Sequence, residues 1–396
     1  MKRKIRCLFY GKQDDDSAEH IVPNALGGRL TIRGVIGLKA NNELGKIIDA
    51  PFEEALRPLS IHLGAKRGDG KPVAPLRGII TEAGERIDVH SGGFPEMNRK
   101  GTVKIVDVGS DKQFSVTACS EEKAIELVAH QLKRFGRDAS KIKMLRAELT
   151  GHPAGKVQHR VSLGGAVHGR AVMKMALMSL ARASGRKALD LPDFANAIHF
   201  VVSGQEDIPR FTVAPERLAE IRKAVGGRVG VHTLAIFDVD GGCCAVFLAF
   251  GAFPFWVKIS ECQIGLRQAI VHHVDPVANT HAVVNSDIAL HAPEYLLSDE
   301  GFLRLQDALA ELLEHAARRQ HELWLEDSVN RAVKPLRAIP VGTTLTPEHF
   351  NLVGAIIAEA IAHRMFGLDT RRPVPEEPLR EQIAQKLADL PKGNRK

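Results

Sequence analysis

The stretch AEHIVPNALGGRL (residues 18–30) sets an acid, Glu19, directly before an imidazole, His20, then a proline and a Gly27-Gly28 turn. Extended pieces flank it, IRCLFY (5–10) before and GRLTIRGVIGL (28–38) overlapping its end. After it comes NNELGKIIDAPFEEALRPL (41–59), in which Leu44, Ile47 and Ile48 recur at helical spacing. Gly45 weakens that helix. Pro51 belongs in the first turn of a second one, with Asp49 as its candidate cap and Glu53 and Glu54 near its positive end. Two short extended pieces and a following helix are expected.

Working outward, the chain reads as α+β. TVKIVDV (102–108) and QFSVTA (113–118) alternate as strands do. SEEKAIELVAHQLKRFG (120–136) reads as a helix with Ser120 as N-cap and Glu121 and Glu122 in its first turn. HGRAVMKMALMSLARASG (168–185) is a mostly apolar helix, expected in the core and ended by Gly185. HTLAIFDVDGGCCAVFLAFGAFPFWVKIS (232–260) reads as a hairpin closed at Asp240-Gly241-Gly242, then a further strand. From Asp299 the pattern is helical, with Phe302, Leu305, Leu309 and Leu312 on one stripe. Three divisions are expected: 1–65, a mixed region 66–298 containing the Gly/Pro-rich linker candidate KRGDGKPVAPLRG (66–78), and a helical 299–396.

The five cysteines, Cys7, Cys119, Cys243, Cys244 and Cys262, form no C-x-x-C, so a disulfide framework is not expected. The apolar run CLFY is too short for a signal-peptide core and no run is long enough to span a membrane, which predicts a cytoplasmic protein. Between Leu149 and Leu189 there is no acidic residue, while Lys156, Arg160, Arg170, Lys174, Arg182, Arg186 and Lys187 all fall there. Lys133 and Arg134 precede them. Clustered cations of this kind suit a phosphate backbone and are candidate nucleic-acid contacts.

EHIVPNALGGR followed by NNELGKIIDAPFEEALRPL resembles the HNH endonuclease family, in particular its bacterial subgroup with E-H-I-I-P…L-G-G-R and C-N-N-x-L-G, over roughly residues 5 to 60. The resemblance implies an N-terminal ββα-metal module in which a hairpin and a helix hold one divalent ion, Mg²⁺ or Mn²⁺, against a scissile phosphate. It places Glu19 and Asn41 (with Asn42 as the alternative) as metal ligands and His20 as general base. Such a reaction needs a base to activate water and a cation to neutralise phosphate charge. The subgroup's two C-x-x-C pairs are here Cys7 with Tyr10 and Gly37 with Ala40, so a four-thiolate structural zinc is not expected. The family's middle Asn has no counterpart between Ala25 and Ala40.

VHHVDPVANTHAVVNSDIALH (271–291) offers His272, His273, Asp275, His281 and His291, but no zinc signature, and reads as a polar loop. No G-x-S-x-G or Walker-type loop occurs, and Cys243-Cys244 is expected to pack in a strand. The expected function is metal-dependent cleavage of nucleic acid, DNA above all. Two other readings stay open: a nucleic-acid binder with a dead site, and a partner- or ligand-binding sensor that keeps the module as structure.

Overall fold

The computed structural model describes residues 3–82, 86–97, 102–108, 111–118, 121–136, 148–149, 163–205, 211–291, 299–337, 339–340, 342–366, 372–373 and 385. In chain order the strands are β1 (Lys4–Arg6), β2 (Gln13–Asp15), β3 (Glu19–His20), β4 (Thr31–Ile32), β5 (Leu76–Ile80), β6 (Arg86–His90), β7 (Phe94–Met97), β8 (Thr102–Val108), β9 (Asp111–Thr117), β10 (Glu148–Leu149), β11 (Phe211–Val213), β12 (His232–Val239), β13 (Gly242–Ala249), β14 (Phe253–Ser260), β15 (Ala269–Asp275), β16 (Thr280–Ser286) and β17 (Arg372–Pro373). The helices are α1 (Leu38–Leu44), α2 (Ala50–His62), α3 (Glu121–Phe135), α4 (Gly165–Ser184), α5 (Ala195–Ser203), α6 (Leu218–Val225), α7 (Asp299–Arg337) and α8 (Pro347–Phe366). The mixture of helix and strand is the α+β class expected.

The chain divides into two compact units, one of residues 1–75, 91–93 and 159–322, the other of 76–90, 94–158 and 323–396. This differs from the three consecutive divisions read from the sequence, because the N-terminal segment shares one hydrophobic core with α4 and the later strands. The second unit contains the antiparallel sheet β5-β6-β7, the strands β8 and β9 that the alternation predicted, paired as a hairpin, and α3. Ser120, its expected cap, and Cys119 lie outside the described residues.

The first unit is organised by a six-stranded antiparallel sheet in the order β11-β14-β13-β12-β15-β16. The hairpin at Asp240-Gly241 stands where it was read, with Val239 opposite Gly242. Side chains of β12 alternate between two clusters. Leu234 and Ile236 join the one that contains α4 and the N-terminal segment, and Ala235 and Phe237 join the one beneath α6. Both faces are covered, which is why these strands read as nearly continuous apolar runs instead of alternating ones. Cys243 and Cys244 are fully buried and pack, one on each face.

Helix α4 is the core helix its composition predicted: Ala171 to Ala181 are all buried. Each fully buried Leu or Met contributes on the order of 1.5–3 kcal/mol, so α4 is a rigid base for anything mounted on it. On α7, Ala308 and Leu312 are buried against the same core and Leu305 and Leu309 are partly so, in keeping with the expected stripe; the side chain of Phe302 lies outside the description. Among the described residues no helix is long and apolar enough to cross a membrane.

Candidate functional site

β3 and β4 pair antiparallel, Glu19 opposite Ile32 and His20 opposite Thr31, and α1 follows. The return between them is tight. Gly27 has φ of 85°, and a Cβ on Gly28 would lie 1.7 Å from the Val22 carbonyl oxygen, so a side chain is excluded there. The acidic run before β3 has a local task. Asp14 accepts a hydrogen bond from the Lys39 amide at 2.8 Å in the first turn of α1, and Asp16 accepts one from Gly34 at 2.7 Å. Carboxylates suit the positive end of a helix. A Cβ on Gly37 would lie 2.4 Å from the Asp14 side chain, which leaves glycine as the residue that admits the cap.

Helix α1 begins at Leu38, so Asn41 lies within it. A π-helical segment, Gly45–Asp49, then runs into α2 without a break, and Pro51 sits in the first turn of α2 as expected. Asp49 is helical (φ −67°, ψ −48°) and makes no cap bond, contrary to the capping role read for it. The π segment has a geometric consequence. In an unbroken α-helix residues 41 and 49 would point about 80° apart. One extra residue in a wide turn brings them to within about 20°, and π-bulges of this kind favour functional positions.

Asp49 is thereby aimed where Glu19 points, and Lys174 of α4 reaches both. Its ammonium lies 2.5 Å from Glu19 Oε1 and 2.5 Å from Asp49 Oδ2. All three are sequestered, with side-chain exposures of 3% for Lys174, 11% for Glu19 and 16% for Asp49. Burial works against the Lys174 charge, but Asp49 and Glu19 outweigh it and hold its pKa above the usual lysine value. Burial, with Asp49 beside it, raises Glu19 against the pull of Lys174 and Asn41. A third carboxylate, Glu53, is pushed up to about 7 by its own burial and by Asp49.

Asn41 Nδ2 donates to Ser17 Oγ at 2.9 Å and to the Ala18 carbonyl at 3.4 Å. A carbonyl can only accept, so the amide N–H side faces this loop. His20 is half-buried, and burial together with Lys174 and Arg67 lowers its pKa, leaving a neutral imidazole at pH 7. Arg67 and Asp69 come from the segment read as a linker. That segment is instead a docked turn: the Gly68 amide donates to the Asn24 carbonyl at 2.8 Å and the Asp69 amide to Asn24 Oδ1 at 3.1 Å. Beside the site, Ser17 and Ala18 line a depression of about 340 Å³ with Arg3, Asp16, Arg33 and Leu38.

The expected basic contacts fare unevenly. Lys174 is buried and ion-paired, so it presents no charge to a nucleic-acid backbone. Arg170 is turned inward, its guanidinium donating to the Val201 and Val202 carbonyls at the end of α5, each at 2.9 Å. Arg186 pairs with Asp190 at 2.5 Å. Arg182 and Lys187 are exposed, as are Lys133 and Arg134 in the second unit; Lys156 and Arg160 lie outside the described residues.

The histidine-rich stretch is not a loop but the hairpin β15-β16, with His272 buried at 1% exposure. A chain of side chains ties it to α4. The Arg29 and Leu30 amides donate to His281 Nδ1 at 3.2 and 3.3 Å, which makes that nitrogen an acceptor. His281 Nε2–H then donates to His272 Nδ1 at 3.1 Å, and His272 Nε2–H to Ser179 Oγ at 2.7 Å. Since His272 Nε2 carries a proton, it cannot take one from Ser179. The pair is a lock between sheet and helix and not an activated serine. Burial pushes His272 down to about 3 and His281 to about 4, so both stay neutral.

The divalent ion implied for Glu19 and Asn41 does not fit this arrangement. The point between the two carboxylates is filled by the Lys174 ammonium, and Asn41 turns its amide nitrogen, not its oxygen, to the loop. Among the described residues no group of three or more His, Cys, Asp or Glu side chains is arranged to hold a metal ion. Comparison of the chain with family models, curated proteins and solved structures gave no match.

Proposed function

We propose that the chain hydrolyses phosphodiester bonds of nucleic acid, DNA in the first place, with His20 as the general base. The observation that supports this best is a half-buried, neutral His20 held beside the Glu19–Lys174–Asp49 cluster and Arg67. A neutral imidazole takes a proton from water as its oxygen attacks phosphorus; the bond to the leaving sugar oxygen breaks, and that oxygen takes up a proton from solvent. Burial, and after it Lys174 and Arg67, lowers the pKa of His20 and so favours the unprotonated imidazole at neutral pH. Exposed Arg3 and Arg33, flanking the depression next to Ser17, are suited to holding backbone phosphates, which position a substrate without reading its sequence.

The test is cleavage of supercoiled plasmid in Mg²⁺, in Mn²⁺ and in EDTA, with His20→Ala alongside. Cleavage that His20→Ala abolishes supports the reading; its persistence in the variant removes His20 from the mechanism. A second reading is favoured by the engagement of Glu19 by the Lys174 ammonium: a protein that binds nucleic acid and does not cut it. It predicts salt-sensitive DNA binding with no nicked product under any of the three conditions.

A further inference from the structure

We propose that Lys174 is the resident cation of the Glu19–Asp49 pair, standing where a divalent ion would otherwise bind. The native protein therefore takes up no Mg²⁺ or Mn²⁺ there. The nuclease reading supplies only the comparison with a metal site; the inference itself rests on where the ammonium is.

Three observations carry it. The first is position. Nζ contacts one oxygen of each carboxylate at the same 2.5 Å, so those oxygens are within about 5 Å of each other. Mg²⁺ binds oxygens at about 2.0–2.1 Å, so an ion bridging the same pair would have to sit where Nζ sits. Two cations cannot share that point. The second is supply. Lys174 comes from the middle of α4, between buried Met173 and Met175, and nothing on that apolar helix accounts for a buried charge except the acids it meets. A buried ammonium is retained only where its desolvation is offset by partners. Here both partners come from the N-terminal segment, one from β3 and one from the π segment. The third is orientation. Asn41 turns its donor, not its oxygen, to the loop that carries Glu19, which suits an acid already engaged by an ammonium and not a shared metal ion.

Lys174 thus does by a covalently tethered charge what a bound ion would do for these two carboxylates, and it holds α4 to the segment carrying His20. Removing the charge while keeping the stem should uncover a metal site from Glu19 and Asp49, with Glu53 close enough to act on both.

The experiment reads metal binding, not cleavage, so it stands apart from the test of the nuclease reading. The full-length native protein, Glu19→Gln, Lys174→Met and the double variant Lys174→Met/Asp49→Asn are titrated with Mn²⁺. Free Mn²⁺ is followed by electron paramagnetic resonance, and thermal unfolding is recorded with and without the ion. The native protein should bind no Mn²⁺ that Glu19→Gln removes, and millimolar Mn²⁺ should not move its Tm. Lys174→Met should gain one site per chain and a raised Tm in Mn²⁺, both lost in the double variant. A native Mn²⁺ site that Glu19→Gln abolishes would overturn the proposal, as would a folded Lys174→Met that gains no site. If Lys174→Met does not fold, two results decide. Native protein without a Glu19-dependent site supports the proposal, and native protein with one overturns it.

Discussion

Lys174 on α4 and Asp49 at the end of the π segment meet at 2.5 Å across 125 residues of sequence, and Glu19 completes the triad from the other side. The ion cluster is the joint between the N-terminal segment and the core helix. Removing Lys174 leaves two carboxylates without their cation in a nearly dry site, which costs on the order of 3–5 kcal/mol, whereas removing one acid leaves Lys174 paired with the other. Lys174→Ala should lower the unfolding free energy by about that amount in urea titrations, and Asp49→Ala and Glu19→Ala each by less. Replacing all three by well-packed neutral residues should cost much less, since a buried ion pair gains little over apolar packing. A triple variant as unstable as Lys174→Ala would show that the joint depends on something else.

Glu53 gives stability a distinct pH signature. Its carboxyl, at 4.5 in an unfolded chain, is raised to about 7 by burial and by Asp49. Between those values the folded protein holds a proton that the unfolded chain has lost, so this group's contribution is intact below pH 4.5 and declines as pH rises to about 7. The decline amounts to at most about 3 kcal/mol, less what solvent access screens. Glu53→Gln carries no such charge. The difference in unfolding free energy between variant and native protein should therefore grow in the variant's favour from pH 5 to pH 8. A flat difference would place Glu53 in open solvent.

The buried histidines act in the opposite direction. His232 and His272 are pushed down to about 3 and His281 to about 4, all by burial first. Their unfolded counterparts take up protons near pH 6.5. The stability they confer is complete above that value and is lost as pH falls through it toward their folded values, by up to about 4 kcal/mol per pH unit with all three titrating. The midpoint of urea unfolding should fall steeply below pH 6.5. His272→Gln should flatten the slope by about a third. Ser179→Ala, which removes only one end of the lock, should cost about 1–3 kcal/mol at pH 7 and leave the slope as it is.

How far the sequence could be read depended on where each residue's partner lay. The β12-β13 hairpin was legible because its turn and its pairing are local, and α4 because its mostly apolar sequence leaves it no other place than the core. Asp49 was read as a cap because a helix N-terminus normally wants a carboxylate. The π turn that rotates it toward Glu19 leaves no mark in composition. Lys174 was grouped with its basic neighbours by proximity in sequence. The available clue was physical: a lone central charge on an otherwise apolar helix must find an acid somewhere. The β15-β16 hairpin was missed because neutral, buried histidines do the work of apolar residues there. Their partners, Ser179 and the Arg29 and Leu30 amides, are far away in the chain. The comparison with the HNH pattern singled out Glu19 and His20 but carried no information on what stands between Glu19 and Asp49.

On the proposed nuclease reading, the surroundings of His20 set the pH profile of cleavage. A general base works only when unprotonated, and burial, Lys174 and Arg67 together lower the pKa of His20 below the usual 6.5. The acid limb of the rate should therefore reach half its plateau below pH 6.5, with full activity kept at pH 7. Arg67→Ala removes one of the cations that depress the imidazole while leaving burial and Lys174 in place, so the limb should move toward higher pH. The shift should be largest at low salt and shrink as ionic strength rises, because Arg67 is partly exposed. His20→Ala should abolish the limb together with the activity and leave the urea midpoint at pH 7 nearly unchanged. An acid limb that stays fixed when Arg67 is removed, at low salt, would mean that a different group takes the proton from water.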